Sequence, residues 1–156
     1  MIDTTQDRAR FGITFSLLAR RWRRAIDRHL AASGLTDATW IPLVHLKATG
    51  GGISQKDLAI LVGVDGSSLV RVLDILEREG LIARRRDERD GRARLIDLTP
   101  KGEDRVAVIR AALDEAEDVL LADLSDAEVG DLLGHFETMD RRMSDLERAA
   151  RPEDEA

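Results

Sequence analysis

The chain contains no cysteine and no tyrosine, and only 3% of its 156 residues are aromatic. Without thiols it cannot form disulfides, thiolate zinc sites or a cysteine nucleophile. Beside 43% hydrophobic residues, the scarcity of aromatics predicts helices that pack through aliphatic side chains. The length predicts one compact domain that spans residues 1–156.

Long apolar segments are also absent. No apolar run approaches the roughly 18 residues that a membrane-spanning helix needs. The N-terminal residues lack the apolar core of a signal peptide. We therefore expect a soluble, cytoplasmic protein that has no membrane partner.

Residue patterns typical of catalysis are missing as well. The three histidines, at positions 29, 45 and 135, lie in different predicted helices. Neither a nucleophile–histidine–acid order nor a metal-ligand spacing accompanies them. Gly50-Gly51-Gly52 lacks the lysine and the spacing of a phosphate-binding P-loop. We therefore expect no enzyme, no catalytic or metal-binding residue and no cofactor.

The net charge of −6 would oppose binding to a nucleic acid if it were spread evenly. Residues 1–64 carry nine Lys/Arg against five Asp/Glu, residues 65–102 nine against eight, and residues 103–156 six against seventeen. Residues 84–94 alone hold six arginines and three acids. The acidity is therefore C-terminal, which leaves room for a phosphate-binding surface earlier in the chain.

What the sequence does contain is a series of amphipathic helices. The first is predicted over residues 8–32, where apolar side chains recur at steps of three and four. The second is predicted from Thr36 or Asp37, as N-cap, to Thr49, and Pro42 should bend it or shift its start. The apolar stripe of the first helix consists of Phe11, Phe15, Leu18, Trp22, Ile26 and Leu30.

Two short helices separated by a glycine-bounded turn come next. Ser54 heads a capping-box-like start, and Gly63 ends the third helix. Asp65 can cap the fourth helix, predicted over residues 66–79 with Gly80 as its terminator. This spacing is typical of a helix-turn-helix. The predicted buried face of the third helix consists of Leu58, Ala59, Leu61 and Val62.

The fourth helix has one apolar face and one polar face. Ser67, Arg71, Asp74 and Arg78 share the polar side, opposite Leu69, Val72, Leu73 and Leu76. Small hydroxyls followed by an arginine suit entry into a DNA major groove. We therefore predict that Ser67, Ser68 and Arg71 contact DNA there, and that Ser54 and Gln55 contact phosphate. Asp74 would repel phosphate unless it pairs with Arg71 or Arg78 or accepts a hydrogen bond from a cytosine.

A basic hairpin follows over residues 83–98, with Asp90-Gly91 as its turn. Such a hairpin can follow the DNA backbone and insert an arginine into a minor groove. We predict Arg92 for the minor groove. Arg85, Arg86 and Arg94 are further candidates for DNA contact. The alternative is a charged loop that only keeps the protein soluble and protects the sheet edge.

Two long helices complete the chain. Proline at position 100 starts the first, which we expect to reach about Asp123, and Leu124 to Glu128 is a capping-box start for the second. Their narrow apolar seams require partners. The sequence thus predicts a mainly α protein with a small β-wing (α+β). Its winged helix-turn-helix lies over residues 36–99, between dimerisation helices over residues 8–32 and 100–150.

Over nearly its whole length the chain resembles the MarR family of transcriptional regulators. The wing carries Asp90-Gly91-Arg92 and then Leu95-Ile96-Asp97-Leu98-Thr99-Pro100-Lys101-Gly102. The segments from Ser68 to Glu77 and from Leu18 to Arg23, with Trp40, are most similar to the SlyA branch. One departure is Gly91, which stands where many members have arginine.

The resemblance implies a homodimer that binds a pseudo-palindromic operator as a repressor or anti-repressor. It also implies release by a small aromatic carboxylate, held by Arg20 between Trp22 and Trp40. Alternatively, the two tryptophans are core residues and Arg20 forms a salt bridge in the dimer. A winged-helix module that binds proteins instead of DNA is the other functional alternative.

Overall fold

The computed structural model describes residues 4–32, 35, 39–91 and 93–150. It contains six helices and three strands within these ranges. The predicted fold class, mainly α with a small sheet, is confirmed. In chain order the elements are α1 (Thr4–Ala32), α2 (Trp40–Thr49), β1 (Ile53–Ser54), α3 (Gln55–Val62), α4 (Gly66–Arg78), β2 (Ile82–Arg86), β3 (Arg94–Leu98), α5 (Pro100–Leu120) and α6 (Asp126–Ala149).

The chain divides into two compact units, residues 1–116 and residues 117–156. The first unit is built around a cluster of aliphatic side chains, as the shortage of aromatics predicts. Fully buried leucines and isoleucines from every helix of this unit and from the sheet form that cluster. Its largest members are Leu30, Leu43, Leu46, Leu58, Leu69, Leu73, Leu76, Ile96 and Ile109.

The helix-turn-helix is confirmed, together with its predicted caps. The Ser54 hydroxyl accepts a hydrogen bond from the Asp57 N–H at 3.1 Å at the start of α3. The Asp65 carboxylate accepts one from the Ser68 N–H at 2.9 Å at the start of α4. Gly63 ends α3 in the left-handed region, with φ of 73°, a conformation that costs glycine little.

The second helix starts later than predicted. The expected caps, Thr36 and Asp37, lie outside the described residues, and α2 begins at Trp40. Pro42 is therefore in the first turn, where its missing N–H has no intrahelical acceptor to lose. A later start was one of the two effects predicted for the proline.

The small sheet has the strand order β1-β3-β2, and both pairings are antiparallel. The return strand matches its prediction. The short strand β1 was not predicted, because two residues are too few to show an alternating pattern. β2 runs to Arg86, so Arg84, Arg85 and Arg86 all lie in a strand.

Two predicted apolar faces are only partly buried. Leu61 was expected in the core but is 46% exposed. It lies about 110° around α3 from the centre of the face formed by Leu58, Ala59 and Val62, so this short helix packs through a narrower face than predicted. In α1 the stripe is buried at Ile26 and Leu30, whereas Phe11, Phe15 and Leu18 are exposed.

The second unit holds the end of α5 and the whole of α6. The predicted capping box is confirmed: the Ser125 hydroxyl accepts from the Glu128 N–H, and the Glu128 carboxylate accepts from Ser125. These hydrogen bonds from Ser125 lower the pKa of Glu128. None of the described side chains of α6 is buried. No helix in the described ranges is both long and apolar enough to cross a membrane.

Hydrogen bonds at the junction between β3 and α5 hold the chain that follows α4. The Thr99 hydroxyl donates to the Gly80 carbonyl at 2.6 Å and accepts from the Gly102 N–H at 3.0 Å. The Thr99 N–H donates to the Leu81 carbonyl at 3.1 Å. A side chain at Gly102 would overlap the Leu81 carbonyl oxygen. The Thr-x-x-Gly spacing therefore allows α5 to start directly against the end of α4.

Replacing Gly102 with alanine should destabilise the protein, because the added methyl cannot be accommodated without moving the Leu81 backbone. We expect a loss of about 1–3 kcal/mol in the free energy of unfolding, measured by urea denaturation. Gly66→Ala is the control, since its added methyl meets no atom within 4 Å and should change stability by less than about 0.5 kcal/mol. Equal effects of the two substitutions would contradict this account.

Candidate nucleic-acid interface

The candidate interface begins with the orientation of α4. Leu69, Leu73 and Leu76 are buried in the core, and this fixes which side of the helix faces outward. Ser67, Arg71, Asp74 and Arg78 are all exposed, as the helical spacing predicts. The predicted recognition face is therefore presented to solvent.

The two serines at the start of α4 are engaged by Asp65. The Ser68 hydroxyl donates to the Asp65 carboxylate at 2.7 Å, and the Ser67 hydroxyl also donates to it. Hydrogen bonds from Ser67 and then from Ser68 lower the pKa of Asp65, so the carboxylate stays ionised and acts only as an acceptor. The single proton of each hydroxyl is therefore donated to Asp65, and the hydroxyl oxygen can still accept a hydrogen bond from a ligand.

Arg71 is available for a ligand. It is exposed and makes no ion pair or hydrogen bond with any residue in the described ranges. An arginine fork can hydrogen-bond the O6 and N7 atoms of guanine together. Arg71 lies one turn after the serines, where the predicted groove contact requires it.

The predicted partners of Asp74 were wrong. Asp74 pairs with Arg84 of β2, with 2.6 Å between the carboxylate and a guanidinium nitrogen, instead of with Arg71 or Arg78. Glu77, nearly one turn further along α4, lies 3.5 Å from the same guanidinium. The helical spacing identified only neighbours on α4, whereas the actual partner comes from a strand ten residues later.

Successive arginines of β2 have different surroundings, because side chains alternate across a strand. Arg84 contacts α4 and is 16% exposed, whereas Arg85 is 54% exposed and bonds to Asp97 of β3 at 2.8 Å. Asp97 also accepts the Gly52 N–H at 2.7 Å. Asp97 therefore connects the wing to the glycine turn before β1, and Arg85 pairs with Asp97 within the wing.

Arg86 and Arg94 form a like-charged pair across the wing. They lie directly opposite one another in the β2–β3 register, where side chains are about 4.5–5.5 Å apart at Cβ. Both are exposed, and neither has an ion-pair partner in the described part of the chain. Two cations in this position repel each other, so an anion between or beside them would be stabilising.

The other predicted contact residues have less distinctive environments. Ser54 is half-buried, and its hydroxyl donates to the Asp57 carboxylate at 2.7 Å. Gln55 is the first residue of α3 and is half-buried. Arg92, the predicted minor-groove residue, lies outside the described residues.

The structure also places the three residues predicted to bind an aromatic carboxylate. Trp22 and Trp40 are half-buried and pack against the hydrophobic core. The guanidinium over the Trp40 ring, 5.0 Å from its centroid, belongs to Arg23 and not to Arg20. Arg20 is exposed, without an ion pair among the described residues. Each tryptophan therefore has one part packed on the core and one part accessible to solvent.

Two histidines of the first unit have identifiable environments. Burial lowers the pKa of His45. His29 on α1 lies 3.8 Å from the Glu115 carboxylate on α5. In the described ranges, no three His, Asp or Glu side chains are grouped closely enough to hold a metal ion.

Known proteins resemble this chain in sequence and fold. The sequence model of the MarR family matches residues 33–93. The transcriptional regulator PA3341 is 34% identical to the chain over 88% of the chain and 98% of that protein, with a TM-score of 0.73. The MepR–DNA complex of S. aureus is 26% identical over 85% and 97%, with a TM-score of 0.64. The regulator SlyA, at 23% identity over 90% and 99%, has a similar fold with a TM-score of 0.70.

Proposed function

Because this chain belongs to the MarR family, we propose that it is a transcriptional regulator that binds double-stranded DNA sequence-specifically, with α4 as recognition helix and the β2–β3 hairpin as wing. The observation that carries the proposal is a set of exposed cations on both elements, Arg71 on α4 and the Arg86–Arg94 pair on the wing, which have no ion-pair partner among the described residues. The DNA complex of the related MepR supports it.

The sheet geometry supports contact of one duplex with both elements. Arg84 and Arg86 are two residues apart and so lie on the same face of the sheet. Arg84 contacts α4, and Arg94 is the register partner of Arg86. Arg86 and Arg94 therefore continue the sheet face against which α4 lies, and one duplex can meet both the helix and the wing.

The proposed roles follow from the chemistry of each side chain. Arg71 reads a guanine in the major groove, next to Ser67 and Ser68. Arg86 and Arg94 contact phosphates, and Arg92 is directed to the minor groove. Phosphate contact by Ser54 and Gln55, action as a repressor or anti-repressor, and membership of the SlyA branch remain part of this proposal.

We also propose that the functional form is a homodimer. Helices α1 and α6 each expose large apolar side chains, more than a monomer usually leaves in contact with water. A second copy would cover them and place two recognition helices on a pseudo-palindromic operator. The exposed residues are Phe11, Ile13, Phe15, Leu17 and Leu18 on α1, and Leu132, Leu133, Phe136, Met143 and Leu146 on α6.

A small aromatic carboxylate is the proposed effector. Arg20 is exposed and has no anionic partner among the described residues, so it can hold the carboxylate. Trp22 and Trp40 are half-buried, which leaves part of each ring accessible. Binding would require Arg23 to move from the Trp40 ring or to share it.

DNA binding can be tested with operator fragments selected from genomic DNA. Arg71→Ala should weaken operator binding by about 1–3 kcal/mol and relax the preference for one base. Arg86→Ala should weaken binding to all DNA sequences alike. It should also reduce the slope of log K for binding against log salt concentration by about 1. Arg105→Ala, on α5, removes the same charge from an exposed residue and should change neither. A flat salt dependence of the unaltered protein would favour the protein-binding alternative.

The dimer can be tested by sedimentation equilibrium. We expect a mass of twice the 17.3 kDa chain for the unaltered protein. Leu133→Asp should give the single-chain mass, because a carboxylate cannot be buried in an apolar interface. Ile60→Asp introduces the same charge at an exposed residue of α3 and should remain dimeric. A monomeric unaltered protein would contradict the proposal.

The effector can be tested by titrating benzoate while following tryptophan fluorescence and release of DNA. We expect saturable quenching and weaker operator binding. Arg20→Ala should abolish both, whereas Arg24→Ala, one turn further along α1, should not. Unchanged fluorescence and DNA affinity at millimolar benzoate would contradict an effector of this class at these residues.

A further inference from the structure

We propose that Arg84 is a positioning residue for DNA recognition: it joins the wing to the recognition helix, so that the Arg86–Arg94 pair and Arg71 engage one duplex together. This inference rests on the proposed function. It concerns a residue that was expected to be one more cation of a basic hairpin, and it gives that arginine a different task.

The contacts of Arg84 connect two elements that approach DNA separately. One guanidinium nitrogen lies 2.6 Å from the Asp74 carboxylate, and the other terminal nitrogen lies 3.5 Å from that of Glu77. Both acids are on α4, nearly one turn apart. A planar guanidinium held at two points restricts rotation as well as distance.

Arg84 is poorly placed to contact phosphate itself. Its side chain is 16% exposed, and its Nε atom is buried without a hydrogen-bond partner in the described structure. A guanidinium that has lost this much hydration is stabilised by charged partners and destabilised by their removal. The ion pair with Asp74 also neutralises a carboxylate on the outward side of α4, which would otherwise repel the DNA backbone.

Because Arg84 lies in β2, its contact with α4 also fixes the position of the neighbouring wing residues. Arg84 is two residues from Arg86 on the same sheet face, and Ile96, opposite Arg84, is fully buried. The strand is therefore held to α4 immediately before the Arg86–Arg94 pair. With this contact, binding of α4 in a groove also brings Arg86 and Arg94 to the phosphates, without a separate ordering cost for the hairpin.

A double-mutant cycle tests this role. The charge-neutral variant Arg84→Met/Asp74→Asn removes the ion pair and keeps a long side chain at position 84. In the unaltered protein, Arg86→Ala should weaken operator binding about tenfold. In the variant, the same substitution should cost less than about threefold, because the wing no longer reaches its phosphates together with α4.

A matched control is available in the ion pair of Lys47 with Glu103, which joins α2 to α5 at 2.7 Å. Lys47→Met/Glu103→Gln is also charge-neutral, and there Arg86→Ala should keep its full effect. Arg84→Lys should recover part of the coupling, since an ammonium can still pair with one carboxylate. If the double variant folds poorly, Asp74→Asn alone gives a partial comparison, since Arg84 keeps Glu77 as a partner, and Arg86→Ala should then cost less than it does in the unaltered protein.

The outcomes separate the two proposals. An equal effect of Arg86→Ala in the presence and absence of the Arg84 ion pair, while the unaltered protein binds its operator, overturns the role of Arg84 alone. Loss of coupling in both ion-pair variants also overturns it, because the effect would then reflect general destabilisation. Absence of salt-dependent DNA binding by the unaltered protein overturns the proposed function and this inference together.

Discussion

The structure of the DNA-binding lobe depends on the burial of one face of α4. Leu69, Leu73 and Leu76 lie in the aliphatic core, and each is worth about 1.5–3 kcal/mol when it is fully removed from water. A rotation of the helix would expose them, so the opposite face has no freedom in its orientation. The outward direction of Arg71 is therefore a consequence of core packing, and the caps at both ends of α4 set where that face begins and stops.

Whether an arginine of the hairpin can bind a ligand depends on the residues that surround it. The six arginines of the hairpin look equivalent in composition, yet four of them fall into two groups. Arg84 and Arg85 are held by carboxylates of α4 and β3, whereas Arg86 and Arg94 face each other across the strands. The first group gives the wing its position, and the second leaves positive charge for a ligand. A count of basic residues overstates the charge that is available to DNA.

In the second unit, the described apolar residues are not buried in a core. The helix α6 carries apolar residues at regular helical spacing, but none of its described side chains is buried. An apolar stripe identifies a surface that should be covered and does not identify what covers it. The same is true of the N-terminal part of α1, where Phe11 and Phe15 stack on one another, with ring centroids 5.9 Å apart, while both remain exposed.

Local sequence determined the elements of this protein. Capping residues such as Ser54, Asp65 and Ser125 make hydrogen bonds within three residues, so their effect is visible in the sequence alone. The same holds for the outward face of α4, since helical spacing is a local property. Ion-pair partners and strand extent were decided only by tertiary structure. Arg84 meets Asp74, and Arg85 meets Asp97, because separate elements pack together, and no periodicity within one element contains that information.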